Sequence, residues 1–248
     1  MSLRPFFTFY GGKWRAAPFY AKPEHDTIIE PFAGSAGYAM RYPRLKVILV
    51  ERDPLVAATW RYLLRVSPEE VISLPDLQEG QSVDDLFVCQ EARLLIGWWL
   101  NGGSAQPKKR PGAWMRRQIE NGGHGWTTGG GQLSWGARVR ERIAGQLSQI
   151  SHWTLVEGSY ESAPERAATW FVDPPYRKAG KHYRFGPDQI DYPGLGRWCA
   201  SRPGQVIVCE NVGADWLPFR PWRYIKASAA KHGGKISHEA IWTNDEAA

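Results

Sequence analysis

The chain has 248 residues, 43% of them hydrophobic and 23% charged, with a formal net charge of +6 at pH 7. That length and apolar content exclude general disorder and suit one sizeable α/β core, alone or with a small added module. No apolar run approaches a membrane span, and the N-terminus lacks a basic-then-apolar signal design.

In chain order, Thr27 to Glu30 reads as a first strand, Ser35 to Tyr42 as a helix, and Lys46 to Glu51 as a second strand. Asp53 and Pro54 read as the N-cap and first-turn proline of a helix reaching about Arg65. Leu86 to Leu100 predicts a helix, followed by a stretch rich in glycine, tryptophan and basic residues. Ala137 to Ile150 returns as an amphipathic helix. Strand three is expected over Trp153 to Val156 and strand four over Thr169 to Val172. Arg177 to Pro187 reads as a polar loop, Ile190 to Ala200 as a short helix, and Gln205 to Cys209 as strand five. Arg223 to Ile225 and Ala240 to Trp242 suit a closing hairpin. Alternating strands and helices predict an α/β fold with a doubly wound, Rossmann-like sheet. Cys89, Cys199 and Cys209 are odd in number and far apart, with neither metal-ligand spacing nor a disulfide framework. The expected setting is a reducing cytoplasm, with no metal.

The most informative motif is Asp173-Pro174-Pro175-Tyr176, which begins where strand four ends. Ligands of open α/β sheets sit at the carboxyl ends of strands. Asp173 and Pro174 each precede a proline, which holds both extended, and the proline rings stiffen the turn further. The result is a rigid edge that offers a carboxylate, the Pro174 carbonyl and an aromatic ring. Two acceptors and a π-face suit a planar substrate with an exocyclic amino group.

A second motif, Glu30-Pro31-Phe32-Ala33-Gly34-Ser35-Ala36-Gly37, joins strand one to the helix that follows. Small residues there let a ligand approach the backbone closely. Glu51 ends strand two about twenty residues later, where an acidic residue commonly takes the ribose hydroxyls of an adenosine ligand. The chain has no Gly-x-x-x-x-Gly-Lys-Ser/Thr run, so a nucleoside without phosphates fits better than ATP.

Taken together and in order, these motifs resemble those of the Dam-type DNA adenine methyltransferases. Phe9-Tyr10-Gly11-Gly12-Lys13 is similar to that family's N-terminal motif, and Glu30 to Ser35 to its S-adenosylmethionine loop. Ser159-Tyr160 lies in the stretch before the catalytic strand, and Asp173 to Tyr176 resembles the catalytic motif. Gly233-Gly234-Lys235 and Glu239-Ala240-Ile241-Trp242-Thr243 resemble the family's last strand. The chain departs from the pattern at Ala36, which replaces a glycine, at Glu51, which replaces the commoner Asp, and at Asp53, which replaces a frequent Asn.

The resemblance implies methyl transfer from S-adenosylmethionine to the amino nitrogen of adenine in double-stranded DNA, and a monomer in solution is expected. It implies Asp173, Pro174, Pro175 and Tyr176 as catalytic residues. For the cofactor it implies Phe9, Tyr10, Gly11, Gly12, Lys13, Glu30, Pro31, Phe32, Ala33, Gly34, Ser35, Glu51, Ser159, Tyr160 and again Asp173. The same acceptor geometry serves cytosine-N4 or RNA amino methylation. Outside enzymes, the alternative is a catalytically silent nucleic-acid-binding protein of the same fold.

Charge is concentrated between Gln106 and Arg142, which carries eight basic residues against Glu120 and Glu141 and so accounts for the whole net charge. Trp98, Trp99, Trp114, Trp126 and Trp135 lie in the same neighbourhood. Basic side chains neutralise phosphates, whereas a solvated charged face beside an ordinary aromatic core is the plainer reading. The division expected is a catalytic domain over residues 1–85 and 150–248, with an inserted DNA target-recognition region over 86–149. Lys108, Lys109, Arg110, Arg116, Arg117, Trp126 and Arg138 are the DNA contacts expected. Base-edge readers are few in this region, so a short or relaxed recognition site follows.

Overall fold

Every residue of β4 (Ala168–Val172) is buried, as a strand covered on both faces requires. Its neighbours are β1 (Thr27–Glu30), also buried throughout, and β5 (Gly204–Asn211). The computed structural model describes residues 3–78, 80–112, 135–226 and 236–246. With β2 (Lys46–Glu51), β3 (Thr154–Glu157), β6 (Arg220–Lys226) and β7 (Ile236–Thr243), these strands form one sheet in the order β3-β2-β1-β4-β5-β7-β6. The first five strands run parallel, and β7 is antiparallel to both β5 and β6. This is the doubly wound α/β sheet expected, closed at one end by an antiparallel hairpin.

Alternation along the strands builds two cores. Ile28, Leu49, Phe171 and Ile207 face one layer, and Ile29, Val50, Trp170 and Val206 face the other. The first layer holds α1 (Pro54–Leu63), α3 (Gln90–Trp99) and α4 (Ala137–Ala144), and the second holds α5 (Tyr192–Ala200). A further short helix, α2 (Pro68–Ser73), packs against α4. Three helices begin with the same device. The side chains of Asp53, Ser67 and Asp191 accept hydrogen bonds from Leu55 N, Glu70 N and Gly194 N, and each helix carries a proline in its first turn.

The helix expected over Ser35 to Tyr42 reduces to a 3₁₀ turn over Ala39–Arg41. Gly34 and Ala36 have φ of 46° and 51°, which interrupts a right-handed helix before it can start. The amphipathic helix expected to reach Ile150 ends at Ala144, and a 3₁₀ turn over Leu147–Gln149 follows it. Strand three lies one residue later than expected. The closing hairpin is present and longer than its sequence signal.

Helix α3 opens the region expected as an insert, yet it packs into the main core against α1. Trp98 is fully buried between Phe7 and Phe9, at ring separations of 5.3 and 5.4 Å. Its indole donates to Thr59 Oγ1 of α1 at 2.9 Å, and the Trp99 indole donates to Phe6 O at 3.0 Å. Trp135 is also buried and donates to Pro75 O. Three of the five tryptophans in the basic neighbourhood therefore belong to the core, while Trp114 and Trp126 lie outside the described residues. Trp98→Ala is expected to lower stability by about 3–5 kcal/mol in chemical denaturation. A loss below about 1 kcal/mol would mean that α3 does not contribute to the central core.

Candidate active site

β1 and β4 are adjacent in the sheet, and the chain winds outward from them in opposite directions. Their carboxyl ends therefore open the crevice that doubly wound sheets use for ligands. One wall is the turn after β1. Gly34 is gripped there from both sides: its N–H donates to Glu51 Oε2 at 2.9 Å, and its carbonyl accepts from the Trp60 indole at 2.7 Å. Glu51 Oε1 accepts from Asp53 N at 2.8 Å, so this carboxylate ties the ends of two neighbouring strands together. Glu30 Oε1 accepts from Ala39 N at 2.7 Å and fixes the far side of the turn. Ala36 takes the left-handed conformation that a glycine adopts without strain, which costs about 1–2 kcal/mol.

The N-terminal motif lies across this turn. The Phe9 ring packs against Gly34, where a Cβ would stand 2.9 Å from it. Tyr183 holds the motif from the other side, with its hydroxyl donating to Tyr10 O at 3.0 Å. Lys13 is carried into the crevice, where it is buried and its Nζ lies 2.8 Å from Asp173 Oδ1. That ammonium also donates to Gly11 O at 3.2 Å and sits 4.6 Å from the centre of the Tyr176 ring.

Asp173 and Tyr176 follow β4 directly. The Tyr176 hydroxyl donates to Glu239 Oε2 on β7, and Ser237 Oγ donates to Glu239 Oε1 at 2.7 Å. Glu210, buried at the end of β5, accepts from Arg177 N and from the Trp216 indole, each at 3.2 Å, and so anchors the chain just beyond the motif. Burial raises the Asp173 carboxyl above the usual carboxylate range, against the opposing pull of Lys13. Burial alone would lower the Lys13 ammonium, but the charges of Asp173 and Glu239 outweigh it and hold Lys13 above its ordinary value. Burial also pushes the Tyr176 phenol well up.

Two cavities meet at these residues. The larger, of about 430 Å³, is lined by all fifteen positions expected around a cofactor, from Phe9 to Asp173. Its walls include Asp53, Val56 and the stacked pair Phe32–Tyr160, whose ring centres are 5.6 Å apart. The smaller, of about 190 Å³, is lined by Pro174, Tyr176, Ser237 and Glu239. Lys13, Asp173 and Tyr183 line both. Glu239 was named only within the last-strand motif and not as a site residue, and Tyr183 carried no sequence signal. A glutamate next to the apolar run Ala240-Ile241-Trp242 in a strand was the available clue.

The basic residues of the 106–142 stretch are partly engaged elsewhere. Lys109 Nζ pairs with Asp84 at 2.7 Å, and Arg110 donates to Gly80 O. Lys108 and Arg138 are exposed, and Arg116, Arg117 and Trp126 lie outside the described residues. Gly233, Gly234, Lys235 and His232 lie outside them too. Among the described residues no helix is long and apolar enough to cross a membrane, and no group of His, Cys, Asp and Glu is arranged to hold a metal.

No protein-family model and no curated protein matches this chain. Among solved structures it is similar to the rRNA methyltransferase AviRa from Streptomyces viridochromogenes, at 16% identity and a TM-score of 0.36, over 88% of this chain and 75% of that one.

The buried carboxyls of the glycine turn have a consequence for stability. Burial raises Glu51 to about 7 and Glu30 to about 8, from an ordinary value of 4.5. Above 4.5 the folded protein therefore keeps protons that the unfolded chain has released, so stability falls as pH rises until both groups ionise near 8. Urea unfolding between about pH 5 and pH 8 is expected to show this decline, and Glu51→Gln should make it shallower. An identical slope in the variant would show that Glu51 is already ionised at the lower pH.

Proposed function

We propose that the protein transfers a methyl group from S-adenosylmethionine to the exocyclic amino nitrogen of adenine in DNA. The observation that carries this reading is the position of Asp173, which lines both a cofactor-sized and a base-sized cavity. The residues of the larger cavity fit the cofactor. Glu51 brings a carboxylate to its wall for ribose hydroxyls, Gly34 has no side chain to hinder close approach, and Phe32 and Tyr160 give an aromatic surface. S-adenosylmethionine, when bound, supplies an electrophilic methyl group on a sulfonium.

The chain's own residues supply orientation and electrostatics. Adenine's amino nitrogen is a poor nucleophile because its lone pair is delocalised into the ring. Asp173 and the Pro174 carbonyl accept one amino hydrogen each, which steers the lone pair out of the ring plane. Among the described residues the Pro174 carbonyl takes no other hydrogen bond. Asp173 then accepts the proton that the methylated nitrogen releases. A stacked base cannot reach a pocket this deep, so the target flips out of the duplex. Tyr176 then stacks on its face, a contact that contributes about 1–3 kcal/mol. The preference for adenine over cytosine, and for DNA over RNA, comes from the motif resemblance. In this reading the exposed Lys108 and Arg138 contact phosphates, together with the rest of the 86–149 region.

Asp173→Ala is expected to abolish methyl transfer to unmethylated DNA while S-adenosylmethionine binding is retained in part. Turnover at the wild-type rate in that variant would remove the proposed chemistry. Glu51→Ala should weaken S-adenosylmethionine binding by about 1.5–3 kcal/mol, read by calorimetry at a pH above about 8 where Glu51 is ionised, because the ribose hydroxyls lose a charged acceptor. An unchanged affinity would leave Glu51 as a structural tie for the Gly34 turn and nothing more.

A further inference from the structure

Glu239 is a carboxylate that its local contacts do not explain. It is 5% exposed, and among the described residues its two hydrogen-bond donors, Tyr176 and Ser237, are neutral hydroxyls. Among the described residues no cation lies within 4.0 Å of it. A carboxyl that meets only neutral hydroxyls and lines a cavity is a ready acceptor for a cation in that cavity, which a glutamine satisfying the same two hydroxyls would not be.

Two cations line the same small cavity as Glu239: Arg15 is exposed, whereas Lys13 is buried against Asp173, and Glu239 already acts on Lys13. The Lys13 ammonium stands on Asp173 and over the Tyr176 ring. Those are the two groups that a flipped amino-bearing base uses, one as acceptor and one as stacking face. Ammonium and base cannot occupy both at once. Asp173 and Glu239 are the two carboxylates lining the cavity among the described residues, so Glu239 is where a displaced ammonium finds a countercharge. The Lys13 backbone is pinned, because a Cβ on Gly37 would stand 2.8 Å from Lys13 N. Only the flexible four-carbon stem has to swing.

We propose that Lys13 competes with the target amino group for Asp173 and passes to Glu239 as the base enters, which makes Glu239 a positioning residue acting through Lys13. The proposal rests on the methyltransferase reading above. It predicts that the effect of removing the Glu239 charge disappears when Lys13 carries no charge.

The test is a double-mutant cycle of Glu239→Gln and Lys13→Met in the full chain. Tritiated S-adenosylmethionine and unmethylated plasmid DNA serve as substrates, and cofactor affinity is measured in parallel by calorimetry. Glu239→Gln should raise KM for the plasmid about tenfold and leave kcat within about threefold, and this rise should shrink below about twofold in the Lys13→Met background. Lys13→Met alone should lower KM for the plasmid about threefold, because Asp173 loses its competitor. That arm decides the matter even if Glu239→Gln fails to fold. A Glu239→Gln effect of equal size in both backgrounds, or a raised KM in Lys13→Met, overturns the proposal. Wild-type protein that binds the cofactor and methylates the plasmid keeps the methyltransferase reading whichever way the cycle falls. Wild-type protein that does neither removes both.

Discussion

The site depends on one close approach of backbone to backbone. A Cβ on Gly37 would stand 2.5 Å from Trp14 N and 2.9 Å from the Lys13 carbonyl carbon, closer than real atoms come. Only glycine lets the N-terminal segment lie directly on the turn after β1. Around that contact the Trp14 indole donates to Leu3 O at 2.6 Å, and the Arg41 guanidinium lies 3.8 Å from the Trp14 ring centre while donating to Trp14 O. The segment is thereby fixed to the sheet, and Lys13 is delivered to the end of β4. Without that contact, the charge at Asp173 would have no buried partner.

A second constraint is the clamp on Gly34, which joins the crevice to the aromatic core. Trp60 holds the Gly34 carbonyl with its indole, and its ring packs edge-on against Phe6 and Phe7 at 6.0 and 5.5 Å. Phe7 in turn lies against Trp98 on α3. The floor of the larger cavity is therefore continuous with close-packed aromatic side chains that do not yield easily. Positions far apart in sequence, from Phe6 to Trp98, set the shape of one turn.

The sheet was legible in the sequence because short continuous apolar runs and strand-end motifs are local signals. The Asp53-Pro54 helix start was legible for the same reason, since cap and proline are adjacent. The helix expected at Ser35 failed because Gly34 and Ala36 both take positive φ, and at Ala36 the residue type itself does not mark that conformation. Trp98 and Trp99 read ambiguously because they stand near basic residues, although Ala92, Leu95, Ile96 and Trp99 have the spacing of a buried helix face. The fifteen expected cofactor-side positions gather around one cavity because motifs at strand ends converge in a doubly wound sheet. Glu239 was not legible as part of the site. Its meaning arises from the pairing of β7 with β5, which brings it beside a tyrosine 63 residues away in the chain.

The hairpin that carries Glu239 also forms one border of the sheet, and that border is built against growth. β6 is the outer strand, and it carries Pro221, which has no N–H to offer a newcomer. Its register with β7 slips between Pro221 and Arg223, and Arg220, Arg223 and Lys226 lie along it. A proline, an irregularity and like charges are the means by which edge strands refuse a second chain. At the opposite border β3 has only four residues, too few to template a long ladder. A strand that must present Glu239 from the interior is thus shielded by a neighbour unsuited to recruiting another, so the ladder ends at seven strands.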